Sequence, residues 1–339
     1  MHVEDSKRQP TLGRPAWKVG VTAVGGAAGL RLRCIQYERD RNGPAHRSPA
    51  AVNPGAGSVP ANLIEVRLER GLRLPGRVWC AARPRALVAV VHGLGEHCAR
   101  YAALAADLVQ ARFSVVALDL PGHGETPGPR GDVASWAQLR DQVVPAMFTA
   151  LRGLPGQPMD LPHVLFGHSL GGVLALDYAI AHPRTIVAAV ATSPGLRSAM
   201  PPWWKLALGH AARFTVPGAG LAHGLDESGM ARDPEVLALR RQDPRVHDRI
   251  SPRLYFSFNE ARQRVLCEAR LLRVPTLLLQ GMGDRIVDPK GALEFNAAAP
   301  HGMVRLFTYA GVYHEVFNDP VRDQAVRDLL GWLDAVLVV

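Results

Sequence analysis

The sequence contains little cysteine, and the cysteines that it has form no pattern. Cys34, Cys80, Cys98 and Cys267 are widely spaced, and no two of them form a C-x-x-C pair. Because a disulfide framework or a zinc knuckle would need such pairing, neither is indicated. We expect a protein of the reducing cytoplasm.

Long apolar runs are also missing. The apolar segment 19–30 has only a dozen residues, which is too short to span a bilayer. It follows a basic stretch, as the core of a signal peptide would, but it leads into RLRCIQYERDR without a small-residue cleavage pattern. The sequence therefore favours a cytoplasmic protein that contacts a membrane only at its surface.

The net charge of +9 is confined to two segments. Residues 1–60 hold nine Lys or Arg against four Asp or Glu, and residues 232–273 hold ten Arg against six acidic residues. The remaining chain is balanced, and neither segment interleaves a basic stripe with aromatic or polar readers. Nucleic acid is therefore not expected as a partner.

The chain divides into a leader and one folded domain. Residues 1–60 mix Pro, Gly, Ser and charge without a period, and they end in SPAAVNPGAGSVP, which is typical of a flexible tether. We predict a disordered basic leader here, or an upstream extension of the true start. The whole chain has 339 residues, of which 47% are hydrophobic, and the part after the leader is long enough to bury a full core. A single domain is therefore predicted over 61–339.

From residue 63 onward the pattern is that of an α/β protein. LIEVRLERG and LRLPGRVWCAA alternate apolar and polar residues, which predicts two antiparallel strands. Apolar strands then alternate with helical runs, which predicts a mostly parallel twisted sheet with helices on both faces. The predicted parallel strands are RALVAVVHG, FSVVALDLPG, HVLFGHS, IVAAVATSPG, VPTLLLQGMGD and MVRLFTYAGV.

The alternation is interrupted between about residues 196 and 273. This stretch is helical in period and has many proline boundaries, so we predict an inserted helical cap over the carboxyl edge of the sheet. Ligands bind at that edge in open α/β sheets. After the cap, one helix is predicted to start with Asp288 as N-cap and Pro289 as its first residue, and a final helix starts near Val321.

Ser169 stands in Gly-His-Ser-Leu-Gly, directly after a predicted strand and directly before a predicted helix. In this context a tight turn lifts the serine hydroxyl clear of the sheet, and the glycines remove side chains that would collide. The alternative is a small polar residue in a glycine-rich bend. The flanking strand and helix favour a nucleophile.

A serine nucleophile needs a base to take its proton and an acid to orient that base. In an α/β fold with a serine at such a turn, the order along the chain is serine, acid, histidine. Of the two histidines after the cap, His301 precedes a strand and lies at the wrong edge, whereas His314 follows the strand and lies at the carboxyl edge. Asp284 ends the preceding strand at the same edge and is the predicted acid. Asp288 is the fallback, although it is better explained as a helix cap.

Attack on a carbonyl also needs donors for the developing oxyanion. The backbone N–H of Leu170, after the nucleophile, is one predicted donor. The N–H of Leu94, in the HGLG loop after an earlier strand, is the second. The same loop could be a phosphate-binding turn, but no Lys-Ser/Thr or G-x-G-x-x-G follows it.

Five segments of the chain carry a resemblance: HGLGEHCARY, DLPGHGETPGPRG, GHSLGG, GMGDRIVD and YAGVYHEVFND. Together they resemble the monoacylglycerol lipase and lysophospholipase branch of the α/β-hydrolases, within the serine aminopeptidase-like group, over about residues 62–337. The resemblance implies the same triad and donors, and it implies that Glu96, His97, Arg100 and Tyr101 support the loop that carries Leu94. Asp119, His123 and His168 match motif positions without an evident chemical step. Leu170 stands where many relatives have Met, which leaves the backbone donor unchanged.

We therefore expect a serine hydrolase that cleaves carboxylic esters of single-acyl lipids through an acyl-enzyme, with no metal or organic cofactor. Lysophospholipase and general carboxylesterase activities are alternatives for the same site. An N-terminal aminopeptidase would need cap acids, for which Asp226 and Glu227 are available. A sensor of acyl ligands on a hydrolase frame is the alternative from another class.

The cap contains an amphipathic segment that suits either of two roles. It could contact an acyl chain or a membrane surface, or it could simply pack the cap onto the body. Its apolar members are Trp203, Trp204, Leu206, Leu208 and Phe214, and Lys205 and Arg213 lie on its polar side.

Overall fold

The computed structural model describes residues 59–337 except for 69–70, 155–156, 159 and 199–202, together with two short strands near the N-terminus. Those strands, β1 (Val21–Thr22) and β2 (Arg33–Cys34), pair in antiparallel fashion. Of residues 1–58, only the four residues of these two strands are described. The remainder of the predicted leader up to residue 58, including most of the apolar segment 19–30, lies outside the described residues. The disordered leader therefore stays a prediction.

A sheet of eight strands forms the centre of the domain, in the order β12-β11-β8-β7-β5-β6-β4-β3. β3 pairs with β4 and β4 with β6 in antiparallel fashion, and every other pairing in the sheet is parallel. The predicted two antiparallel strands and six parallel strands are thus confirmed. After β2 the strands are β3 (Asn62–Arg67), β4 (Arg73–Trp79), β5 (Ala86–Val91), β6 (Phe113–Leu118), β7 (His163–His168), β8 (Ala188–Thr192), β9 (Leu221–Ala222), β10 (Arg249–Ile250), β11 (Thr276–Gly281) and β12 (Val304–Tyr309).

Helices connect these strands, and a π-helical turn (Leu139–Val143) joins two helices between β6 and β7. Among the described residues, no helix has both the length and the apolar content that crossing a bilayer requires. The helices are α1 (Ala102–Gln110), α2 (Trp136–Gln138), α3 (Val144–Arg152), α4 (Leu170–Ala181), α5 (Trp203–Thr215), α6 (Pro234–Gln242), α7 (Pro252–Glu268), α8 (Lys290–Ala298) and α9 (Arg322–Val336).

The sheet is covered on both faces, which explains why its central strands are apolar throughout. Every residue of β5, β6, β8 and β11 is buried. The helices α1 and α9 share one apolar core with one face of the sheet. The helices α3, α4, α7 and α8 share the core on the opposite face. A parallel sheet covered in this way leaves its carboxyl edge as the accessible side for a ligand.

The predicted cap, about residues 196–273, lies between β8 and β11 and stays a prediction. The helix α7 lies within that range, but its Leu254, Ala261 and Val265 are completely buried in the core shared with α4. α7 therefore packs in the layer that covers the sheet, and the other elements of the predicted cap are α5, α6 and the antiparallel pair of β9 and β10. The periodicity of α7 could not reveal this, because a helix that packs on a sheet and one that packs on a cap have the same period.

Candidate active site

Ser169 lies in the tight turn between the end of β7 and the start of α4. Its backbone has φ 54° and ψ −111°, a conformation that residues with a side chain rarely adopt. Glycines make the turn possible, since a Cβ at Gly167 would lie 1.9 Å from the carbonyl oxygen of Gly171. The Ser169 N–H donates to the carbonyl of Thr192 at 3.0 Å, which ties the turn to β8. The predicted strand, turn and helix around this serine are therefore present.

His314 and Asp284 form a buried pair at the same edge of the sheet. His314 Nδ1 lies 2.8 Å from Asp284 Oδ2, and the two side chains are 2% and 0% exposed. Asp284 Oδ1 accepts from the N–H groups of Ile286 and Val287 at 2.8 and 3.0 Å. Burial alone would raise the pKa of Asp284, but His314 and these two amides outweigh it and lower the pKa. An ionised Asp284 holds the Nδ1–H of His314 and leaves Nε2 as the basic nitrogen.

The two alternative residues lie elsewhere. Asp288 Oδ1 accepts from the Lys290 N–H at 3.0 Å, so its side chain caps α8. α8 begins at Lys290, with Pro289 in the flanking position, one residue later than predicted. His301 is exposed in the turn before β12, at the opposite end of that strand from His314. The structure brings together Asp284 and His314, and not the alternatives.

The ring of His314 packs beside the serine turn. Its centroid lies 4.8 Å from that of His168, the residue before Ser169, with the ring planes at 53°. His168 is 7% exposed. Burial, followed by the charge of His314, lowers the pKa of His168 to about 4. His168 is therefore neutral at neutral pH and offers an uncharged ring against which His314 rests.

The loop after β5 carries Leu94, whose N–H is one of the two predicted oxyanion donors. A Cβ at Gly93 would lie 3.3 Å from the Ser169 Cβ, so this loop abuts the serine. The N–H of Gly93 donates to Glu96 Oε1 at 2.6 Å, whereas the N–H of Leu94 has no acceptor in the described part of the chain. Leu170 is the first residue of α4, and the first amides of a helix lack intrahelical acceptors. Both amides are thus available to a ligand, as an oxyanion hole requires.

The residues that the resemblance implied as supports do contact this loop. Tyr101 Oη and Arg100 Nη1 donate to Glu96 at 2.7 and 2.5 Å. His97 Nε2 lies 2.9 Å from Asp243 Oδ2, just after α6 of the cap. Burial, with a smaller effect of Arg245, lowers the pKa of His97 to about 4, so the neutral ring donates this bond. The loop is therefore held from both the body and the cap.

Asp119 and His123 shape the loop after β6 without touching the reacting groups in the described structure. Asp119 accepts from the N–H groups of Cys98 and Glu125, each at 2.8 Å. His123 Nδ1 lies 2.9 Å from the Pro121 carbonyl. Both residues act on the backbone, as expected of motif residues without a chemical step.

Sequence reasoning missed Glu315, the residue directly after the base. Its side chain is 4% exposed, and its two oxygens accept from Arg100 at 2.9 and 2.7 Å. Its N–H donates to the Met230 carbonyl of the cap at 2.7 Å. The available signal was an acidic residue adjacent to the predicted base, but nothing local to it indicated Arg100 as its partner.

The site combines a strained serine, a buried imidazole–carboxylate pair and two available amides, which is the arrangement that acyl transfer requires. Within the described residues, no group of three or more His, Cys, Asp or Glu side chains is placed to hold a metal ion. The fold and this site define a serine hydrolase of the α/β-hydrolase class.

Comparisons with known proteins identify the family. A family model described as serine aminopeptidase, S33, matches residues 82–321. The chain is 29% identical to the monoacylglycerol lipase of Mycolicibacterium smegmatis, over 78% of this chain and 93% of that protein. It is 32% identical to human monoglyceride lipase, over 70% of this chain and 77% of that protein. The crystal structure of Paleococcus ferrophilus monoacylglycerol lipase matches with a TM-score of 0.71 at 34% identity, covering 78% of this chain and 99% of that one. The chain belongs to the serine aminopeptidase S33 family, in its monoacylglycerol lipase branch.

Proposed function

We propose that this protein hydrolyses carboxylic esters of single-acyl lipids, monoacylglycerols first and lysophospholipids second, through an acyl-enzyme on Ser169. The observation that carries the proposal is the buried pair of His314 and Asp284 beside a serine held at positive φ. The names of the related proteins support an ester of glycerol as the substrate. The steps below require neither a metal nor an organic cofactor.

In the first half of the reaction, His314 Nε2 takes the proton of the Ser169 hydroxyl as its oxygen attacks the ester carbonyl. The negative charge that forms on the carbonyl oxygen is stabilised by the N–H groups of Leu94 and Leu170. When the tetrahedral intermediate collapses, the bond to the glycerol oxygen breaks and His314 returns the proton to that oxygen. Asp284 keeps the imidazole oriented and stabilises its charged form.

In the second half, a water molecule attacks the acyl-enzyme while His314 takes one of its protons. The same two amides stabilise the second oxyanion. Collapse releases the fatty acid and returns the proton to Ser169, so the enzyme is regenerated.

The outer face of α5 supports a transient contact with the substrate's membrane. Leu208 and Phe214 are 64% and 82% exposed, which argues against the alternative that they pack the cap onto the body. The opposite face packs on α7, where Arg213 lies over the Phe256 ring and pairs with Glu260 at 3.0 Å. An exposed apolar face on an amphipathic helix suits the boundary of a lipid layer. The side chains of Trp203, Lys205 and Leu206 lie outside the described residues.

A charge on this face tests the membrane contact. Leu208→Glu and Phe214→Glu should lower co-sedimentation with phosphatidylcholine vesicles several-fold, because a carboxylate at the lipid boundary must be desolvated. Hydrolysis of the soluble ester p-nitrophenyl butyrate should stay unchanged. Leu271→Glu is the matched control, since Leu271 is 50% exposed next to α7 and away from α5. Vesicle binding that all three variants retain would show that α5 does not meet the membrane.

The aminopeptidase alternative receives less support from the cap acids. Asp226 accepts from the N–H and hydroxyl of Ser228 at 3.0 and 2.8 Å. Glu227 lies 3.5 Å from Arg241. Both carboxylates are thus occupied locally, whereas recognition of a free ammonium would need an acid directed at the substrate. The cytoplasmic location stays a prediction from the cysteine pattern.

The proposed function is tested by a substrate panel of monoacylglycerols, lysophospholipids, short esters and aminoacyl amides, assayed with wild type and Ser169→Ala. We expect wild type to prefer a monoacylglycerol and Ser169→Ala to lose turnover of every ester. A fluorophosphonate probe should label wild type and leave Ser169→Ala unlabelled. Preference for aminoacyl amides would overturn the substrate assignment, and tight acyl-ligand binding without turnover would favour the sensor.

A further inference from the structure

Four buried charged side chains connect the two loops of the site to each other and to the cap. We call them the Arg100 cluster: Glu96, Arg100, Arg240 and Glu315. Their side chains are only 3–12% exposed. Two carboxylates face two guanidinium groups, so the cluster is balanced in charge. The reaction proposed above assigns none of the four a chemical step.

Arg100 connects two loops of the site. The oxyanion loop follows β5 and carries Leu94, and the base loop follows β12 and carries His314. Arg100 Nη1 donates to Glu96 at 2.5 Å, and the other oxygen of Glu96 holds the N–H of Gly93, the residue before Leu94. Through Nη1 and Nη2 the same guanidinium binds both oxygens of Glu315, the residue after His314. A bidentate bond of this kind fixes direction as well as distance. Arg100 therefore sets the position of Leu94 relative to His314.

The cap contributes to the same cluster. Arg240 of α6 places Nη1 3.8 Å from Glu315 Oε1. The N–H of Glu315 donates to the carbonyl of Met230, and that of His314 points to the carbonyl of Gly229 at 3.4 Å, both in the cap. The base loop is thus held between the body and the cap.

A second buried carboxylate in this protein has the same chemistry and a different location. Asp177 in α4 accepts from Arg264 through both oxygens, at 2.9 Å each, and from Trp136 Nε1 at 2.8 Å. Its bonds join α4 to α7 and to α2, and they reach neither the oxyanion loop nor the base loop. Loss of Asp177 therefore measures what any buried carboxylate contributes to folding, without changing the geometry of the site.

We propose that Glu315 is a positioning residue for the hydrolysis: through Arg100 and Glu96 it fixes the distance between the base His314 and the oxyanion donor Leu94, and Arg240 secures this arrangement from the cap. The inference rests on the proposed function, because it assigns His314 and Leu94 their roles in ester hydrolysis. Its consequence is kinetic, since an amide misplaced by a fraction of an ångström stabilises the transition state less while substrate binding persists.

The test compares Glu315→Gln with Asp177→Asn, using p-nitrophenyl butyrate and counting active sites with the fluorophosphonate probe. We expect Glu315→Gln to lower kcat by about 10- to 100-fold with KM within about threefold of wild type. Asp177→Asn should lower the thermal midpoint and leave kcat within about threefold. A role in folding alone would lower the number of active sites in both variants without separating kcat from KM.

A double-mutant cycle identifies Arg100 as the connection. Because Arg100→Gln and Glu315→Gln break the same link, the double variant should be no slower than the slower single variant. Multiplying effects would overturn the bridge through Arg100. If Glu315→Gln does not fold, Glu315→Asp replaces it, because it keeps the charge and withdraws the carboxylate by one methylene. A wild-type kcat in the folded variant would overturn the inference, whereas a wild type that hydrolyses no ester and takes no probe would overturn the proposed function itself.

Discussion

At the scale of single residues, the choice between two neighbouring aspartates depends on one hydrogen bond. Asp284 and Asp288 both follow β11, which ends at Gly281, and they are four residues apart. Asp284 lies 2.8 Å from His314 Nδ1, whereas Asp288 bonds to the Lys290 N–H. An acid that orients the base must contact the base, so the geometry favours Asp284.

Asp284→Asn should lower kcat by about 10³- to 10⁴-fold with little change in KM, because an amide no longer enforces the Nδ1–H form of the imidazole. Asp288→Asn is the matched control and should leave kcat unchanged, since Asn also caps a helix N-terminus. Steady-state kinetics on a short ester, together with thermal melting of both variants, checks this. The opposite order of effects would make Asp288 the acid.

At the scale of elements, α4 must approach β5 closely so that Ser169 reaches its turn. A Cβ at Gly171 would lie 2.3 Å from the carbonyl oxygen of Val91 and 2.7 Å from that of His92. Both atoms are backbone, and backbone cannot move aside as a flexible side chain can. The second glycine of the serine motif is therefore required for packing between a helix and a strand, as well as for the turn.

Gly171→Ala should destabilise the fold by about 3 kcal/mol, because the extra methyl group displaces α4 from the sheet. It should also lower activity in the fraction that remains folded, since α4 carries the Leu170 amide. Gly331→Ala in α9 is the control: a Cβ there meets nothing within 4 Å. Alanine in an open helix position should stabilise by about 0.5–1 kcal/mol. Urea unfolding of both variants measures the difference, and equal stabilities would contradict this account of the packing.

At the scale of the whole molecule, buried neutral histidines make stability depend on pH. Burial lowers the pKa of both His97 and His168 to about 4, and these side chains are 1% and 7% exposed. In the unfolded chain a histidine titrates at about 6.5. Between about pH 6.5 and 4 the unfolded chain therefore binds more protons than the folded protein, and the free energy of unfolding falls as the pH falls.

Urea unfolding at pH 7, 5.5 and 4.5 should show this loss, which is roughly 3 kcal/mol at most for each group shifted by this amount. His97→Gln removes one titrating group and should flatten the dependence, although it lowers the stability at pH 7 by weakening the bond to Asp243. His301→Gln is the control, because His301 is exposed before β12. A wild type equally stable at pH 7 and pH 4.5 would contradict the prediction.

Much of the fold could be predicted because its signals are local. A strand covered on both faces is apolar throughout, as in β5, β6, β8 and β11, and a βαβ rhythm predicts parallel order. Parallel order places the strand ends at one edge, which is why Ser169, Asp284 and His314 could be selected from their positions after strands. The packing of α7 on the core shared with α4 could not be predicted, because the period of a helix does not say which surface it packs on.

What the sequence by itself determined is the order of elements, the turn at Ser169 and the set of candidate acids and bases. Only the tertiary structure placed Asp284 in contact with His314 and Asp288 in contact with the Lys290 N–H, and it alone joined Arg100 to Glu315 across 215 positions of the chain. The physical reason is that periodicity and turn chemistry act over a few residues, whereas a buried ion pair forms between groups that only the packed sheet brings together.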